Sequence, residues 1–246
     1  MDPIAVSWVL YSLRELMGLE DLRQKILHQE LHTIPDLVYG KTFSMEYKMS
    51  GLISYLKKII KQTDKRVLFT AANLPGISED DLGNTHYQTF IVDNRNRSVI
   101  LIDPARKPSG NGIYPAYVTK EEIEPFFREQ GYTVKYVNTS AACQVKMQDV
   151  FCQTWSLYLQ ILSTINPEKR INIPQSQEKK YGLLLDFYKH ILTYPGFCDM
   201  LRKQYAETIT NYSMSRAEKT GLLQQDPCLI LHSMTARDMF DDEADK

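Results

Sequence analysis

Residues 85–103, THYQTFIVDNRNRSVILID, decide the fold. Thr85 to Asp93 is an apolar run with a histidine, His86, at its start, and Ser98 to Ile102 is a second run leading into Asp103-Pro104. Short runs rich in Val, Ile and Phe, bounded by turn residues, read as strands. The residues between them, Asn94-Arg95-Asn96-Arg97, are polar and of hairpin length, so the two strands pair antiparallel. In such a pair the start of the first strand lies beside the end of the second. The pattern sets the His86 imidazole beside the Asp103 carboxylate, which can accept from one ring nitrogen, fix the tautomer and stabilise the imidazolium.

Working outward, Arg66 to Thr70 is a short strand, and 73–84 is a loop rich in Gly, Pro, Asp and Asn. Downstream, 104–118 carries three prolines and two glycines and reads as a surface loop. A helix over 119–130 points Ile123, Phe126 and Phe127 inward and stops at Gly131, and 132–138 is a third β segment. The next helix, 149–165, places Phe151, Trp155, Tyr158, Leu159, Leu162 and Ile165 on one face. It opens on Cys152. A thiol in the first turn of a helix meets unpaired backbone N–H groups and the positive end of the helix dipole, a setting that suits a nucleophile.

The flanks are helical. Apolar residues recur at helical spacing over 3–32, with Gly18 a candidate break, and again over 44–62, where Lys48, Lys57, Lys58 and Lys61 form a solvated face. Two more helices, 180–193 and 197–220, lie around Pro195-Gly196. From Asp238 the chain is acidic and reads as an unstructured tail. The pattern of helices, then a strand–hairpin–helix–strand unit, then helices, is α+β with a mainly antiparallel central sheet flanked by helices. It divides into a helical N-terminal extension over 1–65, a core with C-terminal helices over 66–225 and an acidic tail over 226–246.

Composition excludes several classes. With 246 residues, 43% hydrophobic and 24% charged, the chain has enough apolar material for a full core. A net charge of −1 gives no global attraction to nucleic acid or an acidic membrane. No run is long and apolar enough to span a bilayer, and the start lacks the basic stretch of a signal peptide. The four cysteines, Cys143, Cys152, Cys198 and Cys228, form no CxxC pair, and the five histidines are scattered. Neither a metal site nor a disulfide framework is suggested, no cofactor is implied, and Cys143, Cys198 and Cys228 read as ordinary thiols in a reducing, intracellular compartment.

Each candidate also has a bland reading: a buried structural cysteine, a strand-edge histidine, an aspartate that opens an Asp-Pro turn. Together the three are more specific. His at a strand start followed by an aromatic, Asp at the end of the next strand and Cys opening a helix resemble the Ulp/SENP–adenain superfamily of cysteine proteases, and the separations fall within that family's range. The resemblance covers about residues 66–165. It implies a papain-like, Ulp-type fold, with His86 as the catalytic base, Asp103 as its orienting acid and Cys152 as the nucleophile. A glutamine shortly before the cysteine would supply the oxyanion donor; Gln144 and Gln148 are the candidates, with Gln144 nearer the end of the preceding strand. It further implies cleavage after small, Gly-type residues in a ubiquitin-like protein or a viral precursor polyprotein. The Cys-Gln-Thr-Trp-Ser wording resembles a branch found in large DNA viruses, which would place the protein in the cytoplasm, nucleus or virion. Two features depart from the pattern: Tyr87 stands where Trp is usual, and Phe151 and Gln153 flank the cysteine where Asp and Gly are usual. Alternatives from the same fold are an acetyltransferase using the same triad and a catalytically inactive binding or structural protein.

Overall fold

In a computed structural model, residues 1–44, 49–73, 86–105, 119–144 and 150–244 are described, with the backbone alone at 44, 49–50, 71–73, 86, 119–120 and 241–244. Of the expected loops at 73–84 and 104–118, all but Asn73, Pro104 and Ala105 therefore lie outside the described residues, and Asn73 ends a strand. The chain divides into two compact units, 23–173 and 1–22 with 174–246.

The first unit is built on a six-stranded sheet. Its strands are β1 (Leu37–Tyr39), β2 (Phe43–Ser44), β3 (Arg66–Asn73), β4 (His86–Asp93), β5 (Ser98–Ile102) and β6 (Thr133–Tyr136). The order is β1-β3-β4-β5-β6, with β2 also on β3. The longest ladders, β3–β4 and β4–β5, are antiparallel. The two-residue β2, the three-residue β1 and the return strand β6 pair parallel. The hairpin is as the sequence reads it: β4 starts at His86, β5 ends at Ile102, and Arg97 takes φ 46° to close the turn. Asn94 locks that turn. Its amide donates to the carbonyls of Ile59 and Gln62, and its Oδ1 accepts from the Tyr132 hydroxyl at 2.7 Å.

Strand alternation gives the sheet two apolar faces. Val67, Phe69, Phe90, Val92, Val99 and Leu101 share one core with Leu52, Leu56 and Ile59 of α3 (Met49–Ile60). Ile123, Phe126 and Phe127 cover the same core from a turn of π-helix at 119–123 and from α4 (Glu124–Glu129), and Gly131 ends that segment at φ 78°. This helical crossover makes β6 parallel to β5. The other face receives α5 (Cys152–Ile165), where Trp155, Leu157, Leu159 and Ile161 are buried. Arg23, in α2 (Glu20–Leu31), is buried there too. It donates to Thr70 Oγ1 at 3.0 Å and sits 5.2 Å from the Tyr87 ring centroid.

The second unit is helical: α1 (Pro3–Met17), α6 (Gln177–Ile191), α7 (Phe197–Asn211), α8 (Arg216–Leu223), α9 (Pro227–Ser233) and α10 (Ala236–Ala244). Three expectations are corrected here. The single helix read over 197–220 is two, because Ser215 starts α8 with a capping box to Glu218. The acidic tail is helical over Ala236–Ala244, with Met239 buried and Asp238 accepting from the backbone and hydroxyl of Thr235. Cys198 and Cys228, read as ordinary thiols, form a disulfide with Cα atoms 6.0 Å apart. Near-neighbour spacing could not signal a pair set by the meeting of α7 with α9. The free-thiol argument for a reducing compartment falls for these two residues. Among the described residues, no helix is long and apolar enough to cross a membrane.

Candidate active site

The described candidates, His86, Asp103, Gln144 and Cys152, have their backbone positions toward one end of the sheet. β4 begins there, and β5 and β6 finish there. Helix α5 runs beside β4 in the same direction, pinned at three points. The Ser156 hydroxyl donates to the Tyr87 carbonyl at 2.9 Å, the Thr89 hydroxyl to the Ser156 carbonyl at 3.4 Å, and the Gln160 amide to the Phe90 carbonyl at 3.4 Å. Cys152 is one turn before Ser156, about 6 Å back along the helix. That step brings the first residue of α5 to the level at which β4 starts, where His86 pairs across the ladder with Asn73. Helix α5 forms because its apolar residues fall at helical spacing and no Gly or Pro interrupts Cys152 to Ile165. Cys152 itself is 8% exposed, beside the buried Phe151.

Asp103 follows β5 and is buried. Its Oδ2 accepts from the Gln88 amide at 3.1 Å and its Oδ1 from the Ala105 backbone at 3.0 Å. The ladder pairs Thr89 with Ile102, so the next step sets Gln88 across from Asp103. His86 lies two residues further out on the same strand, about 7 Å along it. Sequence reasoning missed Gln88. The available signal was a polar residue inside an otherwise apolar strand, opposite a candidate carboxylate. The Asp103-to-Ala105 bond also gives Asp103 the local turn-forming role of an Asp-Pro opener.

The chain after β6 returns to this place. Backbone N–H groups of Cys143 and Gln144 both donate to the Pro104 carbonyl, at 3.0 and 2.9 Å. Residues 138–140 are held in turn by 171–173: Ile171 N donates to Asn138 O, Ser140 N to Ile171 O, and Ile173 N to the Ser140 hydroxyl at 2.7 Å. Gln144 is thereby fixed, buried, next to the turn that carries Asp103. Gln148, the other oxyanion candidate, lies outside the described residues. Gln153 is half-buried, and its Oε1 has no hydrogen-bond partner among the described residues. No group of three His, Cys, Asp or Glu side chains among the described residues is placed to hold a metal ion.

No protein-family model matches the chain, and no curated protein matches it in sequence. Solved structures do match its fold. ChlaDub1 from Chlamydia trachomatis superposes with a TM-score of 0.50 at 13% identity, covering 70% of this chain and 90% of that one. The Chlamydia trachomatis effector protein Cdu1, solved bound to ubiquitin, gives a TM-score of 0.50 at 14% identity, covering 70% of this chain and 91% of that one. Likeness at this identity fixes fold alone. The fold they share with this chain is the expected α+β arrangement, a central, mainly antiparallel sheet flanked by helices.

Proposed function

We propose that the protein is a cysteine peptidase or isopeptidase acting on the Gly-type C-terminus of a ubiquitin-like protein. One observation carries the reading. The start of β4, the end of β5, the segment after β6 and the first residue of α5 gather at one end of the sheet, and those are the positions of His86, Asp103, Gln144 and Cys152. The likeness to a chain solved with ubiquitin supports the substrate class.

In this mechanism the Cys152 thiolate adds to the carbonyl carbon of the scissile amide. The negative oxygen of the tetrahedral intermediate is met by the Cys152 backbone N–H and the Gln144 amide. The intermediate collapses, the C–N bond breaks, and His86 gives a proton to the departing amine. Water then attacks the thioester and gives a proton to His86. The C–S bond breaks, the acid product leaves, and the thiolate beside the protonated His86 is restored. Asp103 holds the imidazole, and Gln88 and the Ala105 N–H hold Asp103. The expected test result is hydrolysis of a fluorogenic C-terminal amide of a ubiquitin-like protein. Cys152→Ala should lower it by about three orders of magnitude or more, and Gln144→Ala by about a hundredfold. Full activity in Cys152→Ala, or no turnover by the unaltered chain, overturns the proposal.

One observation favours a second reading. Gln153 stands where the resembled family has glycine, and a side chain there narrows the approach to Cys152. A protein that binds ubiquitin-like partners without cleaving them would form a complex that dissociates on denaturation, with no covalent adduct at Cys152.

A further inference from the structure

The helical unit contains a cavity of about 410 Å³ between the first turns of α1 and the region running from the end of α7 through α8. Its size is that of an ordinary small-ligand site. Trp8 and Tyr212 form one wall, edge to face with centroids 4.7 Å apart. Ile4 and Leu222 add apolar surface, and Ile4 and Tyr212 remain 63% and 55% exposed. Asp2 and Glu218 also line the cavity, and no lysine or arginine is among the described residues that do.

Both acids have structural duties that leave them capacity. Asp2 caps α1, accepting from Ile4 N at 3.0 Å, and takes a second bond from the Gln225 amide at 3.2 Å. Glu218 accepts from Ser215 N at 2.8 Å, and the Ser215 side chain, followed by that backbone bond, holds its carboxyl below the usual range. A carboxylate offers about four lone-pair positions. Neither acid is in an ion pair among the described residues, and both line the cavity that the indole–phenol pair walls.

We infer that this cavity is a binding site for a lysine or arginine side chain presented by a partner polypeptide. An apolar side chain would bury the two carboxylates without compensation. A basic side chain matches every part of the lining. Its methylene stem covers Ile4 and Leu222, its charged head faces Asp2 and Glu218, and the ring pair of Trp8 and Tyr212 adds cation–π attraction. The site is independent of the sheet and of the chemistry proposed at Cys152.

The test is a titration of the full chain, with N-acetyl-arginine methylamide as probe and the indole N–H signals of Trp8 and Trp155 followed by heteronuclear NMR. The expected result is a saturable shift of the Trp8 signal, weakened by salt, while the buried Trp155 signal stays fixed. The neutral isostere N-acetyl-citrulline methylamide should bind at least about tenfold more weakly, because the contribution of the charge is lost. A D2N/E218Q double variant should lose a similar factor. Asn and Gln serve well at these capping positions, so the helices keep their starts while the charges go. No saturable shift at Trp8, equal binding of the citrulline probe, or unchanged binding by the double variant overturns the inference. The comparison of the two probes on the unaltered chain decides the matter even if the double variant fails to fold.

Discussion

Gln88 and Asp103 are the most informative pair at the scale of single residues. Both are buried, and they meet at 3.1 Å. A buried carboxylate that loses a donor carries an uncompensated desolvation cost. Gln88→Leu, close in volume, should destabilise the sheet unit by about 1–3 kcal/mol, read by urea denaturation. An unchanged midpoint would mean that the Asp103 turn is held without it. Under the proposed chemistry the same variant should also lower kcat more than KM, because a loosely held carboxylate orients its imidazole less well. The strand ends at which His86 and Asp103 stand were legible in the sequence, because alternation and hairpin length fix them, but the ladder sets Gln88 rather than His86 across from Asp103. Gln88 was not legible as a partner, because register at the ladder's end depends on how far pairing continues past Ile102.

At the scale of elements, the contact between α5 and β4 positions Cys152. Its three hydrogen bonds come from polar side chains, Ser156, Gln160 and Thr89, set inside an apolar interface. They set the height of the helix on the strand, which apolar packing alone leaves adjustable. Ser156→Ala should cost about 1 kcal/mol of stability, and Trp155→Ala, which opens a cavity in the same interface, about 3–5 kcal/mol. Thermal denaturation of both variants checks the order; a larger loss from Ser156→Ala would contradict it. The helix itself was visible from periodicity, and its start at Cys152 agrees with the reading that a cysteine opens it. The short strands β1 and β2 were invisible because two or three residues carry no period. The break between α7 and α8 was missed because the capping box at Ser215 sits inside a sequence that otherwise keeps helical spacing.

For the whole molecule, the acid response of the helical unit can be traced to one carboxyl. Asp226 caps α9 and pairs with Arg202 at 2.9 and 3.2 Å, and the Arg202 hydrogen bonds hold its carboxyl below the ordinary value of 3.8. A carboxyl depressed on folding gives stability that is fully present above its unfolded value and is lost as pH falls through its folded one. The helical unit should therefore keep its stability above about pH 5 and weaken steadily below about pH 4. Asp226→Asn retains a cap, removes the charge and should flatten that decline, as followed by far-UV circular dichroism from pH 6 to 2. A decline of equal steepness in the variant would assign the acid response elsewhere. The helical unit was legible only in part. Helix periodicity shows in the sequence, whereas the Cys198–Cys228 pairing and the cavity beside Trp8 arise from helices far apart in the chain.

The chemistry proposed for the sheet unit stands or falls on Cys152 as a nucleophile. The most direct measurement is intact-mass spectrometry of the full chain after exposure to a ubiquitin-like protein ending in a propargyl amide, with the modified residue mapped by peptide sequencing. The account predicts one adduct per chain, on Cys152, absent in Cys152→Ala and strongly reduced in His86→Ala. No adduct, or one on Cys143 that persists in Cys152→Ala, would contradict it.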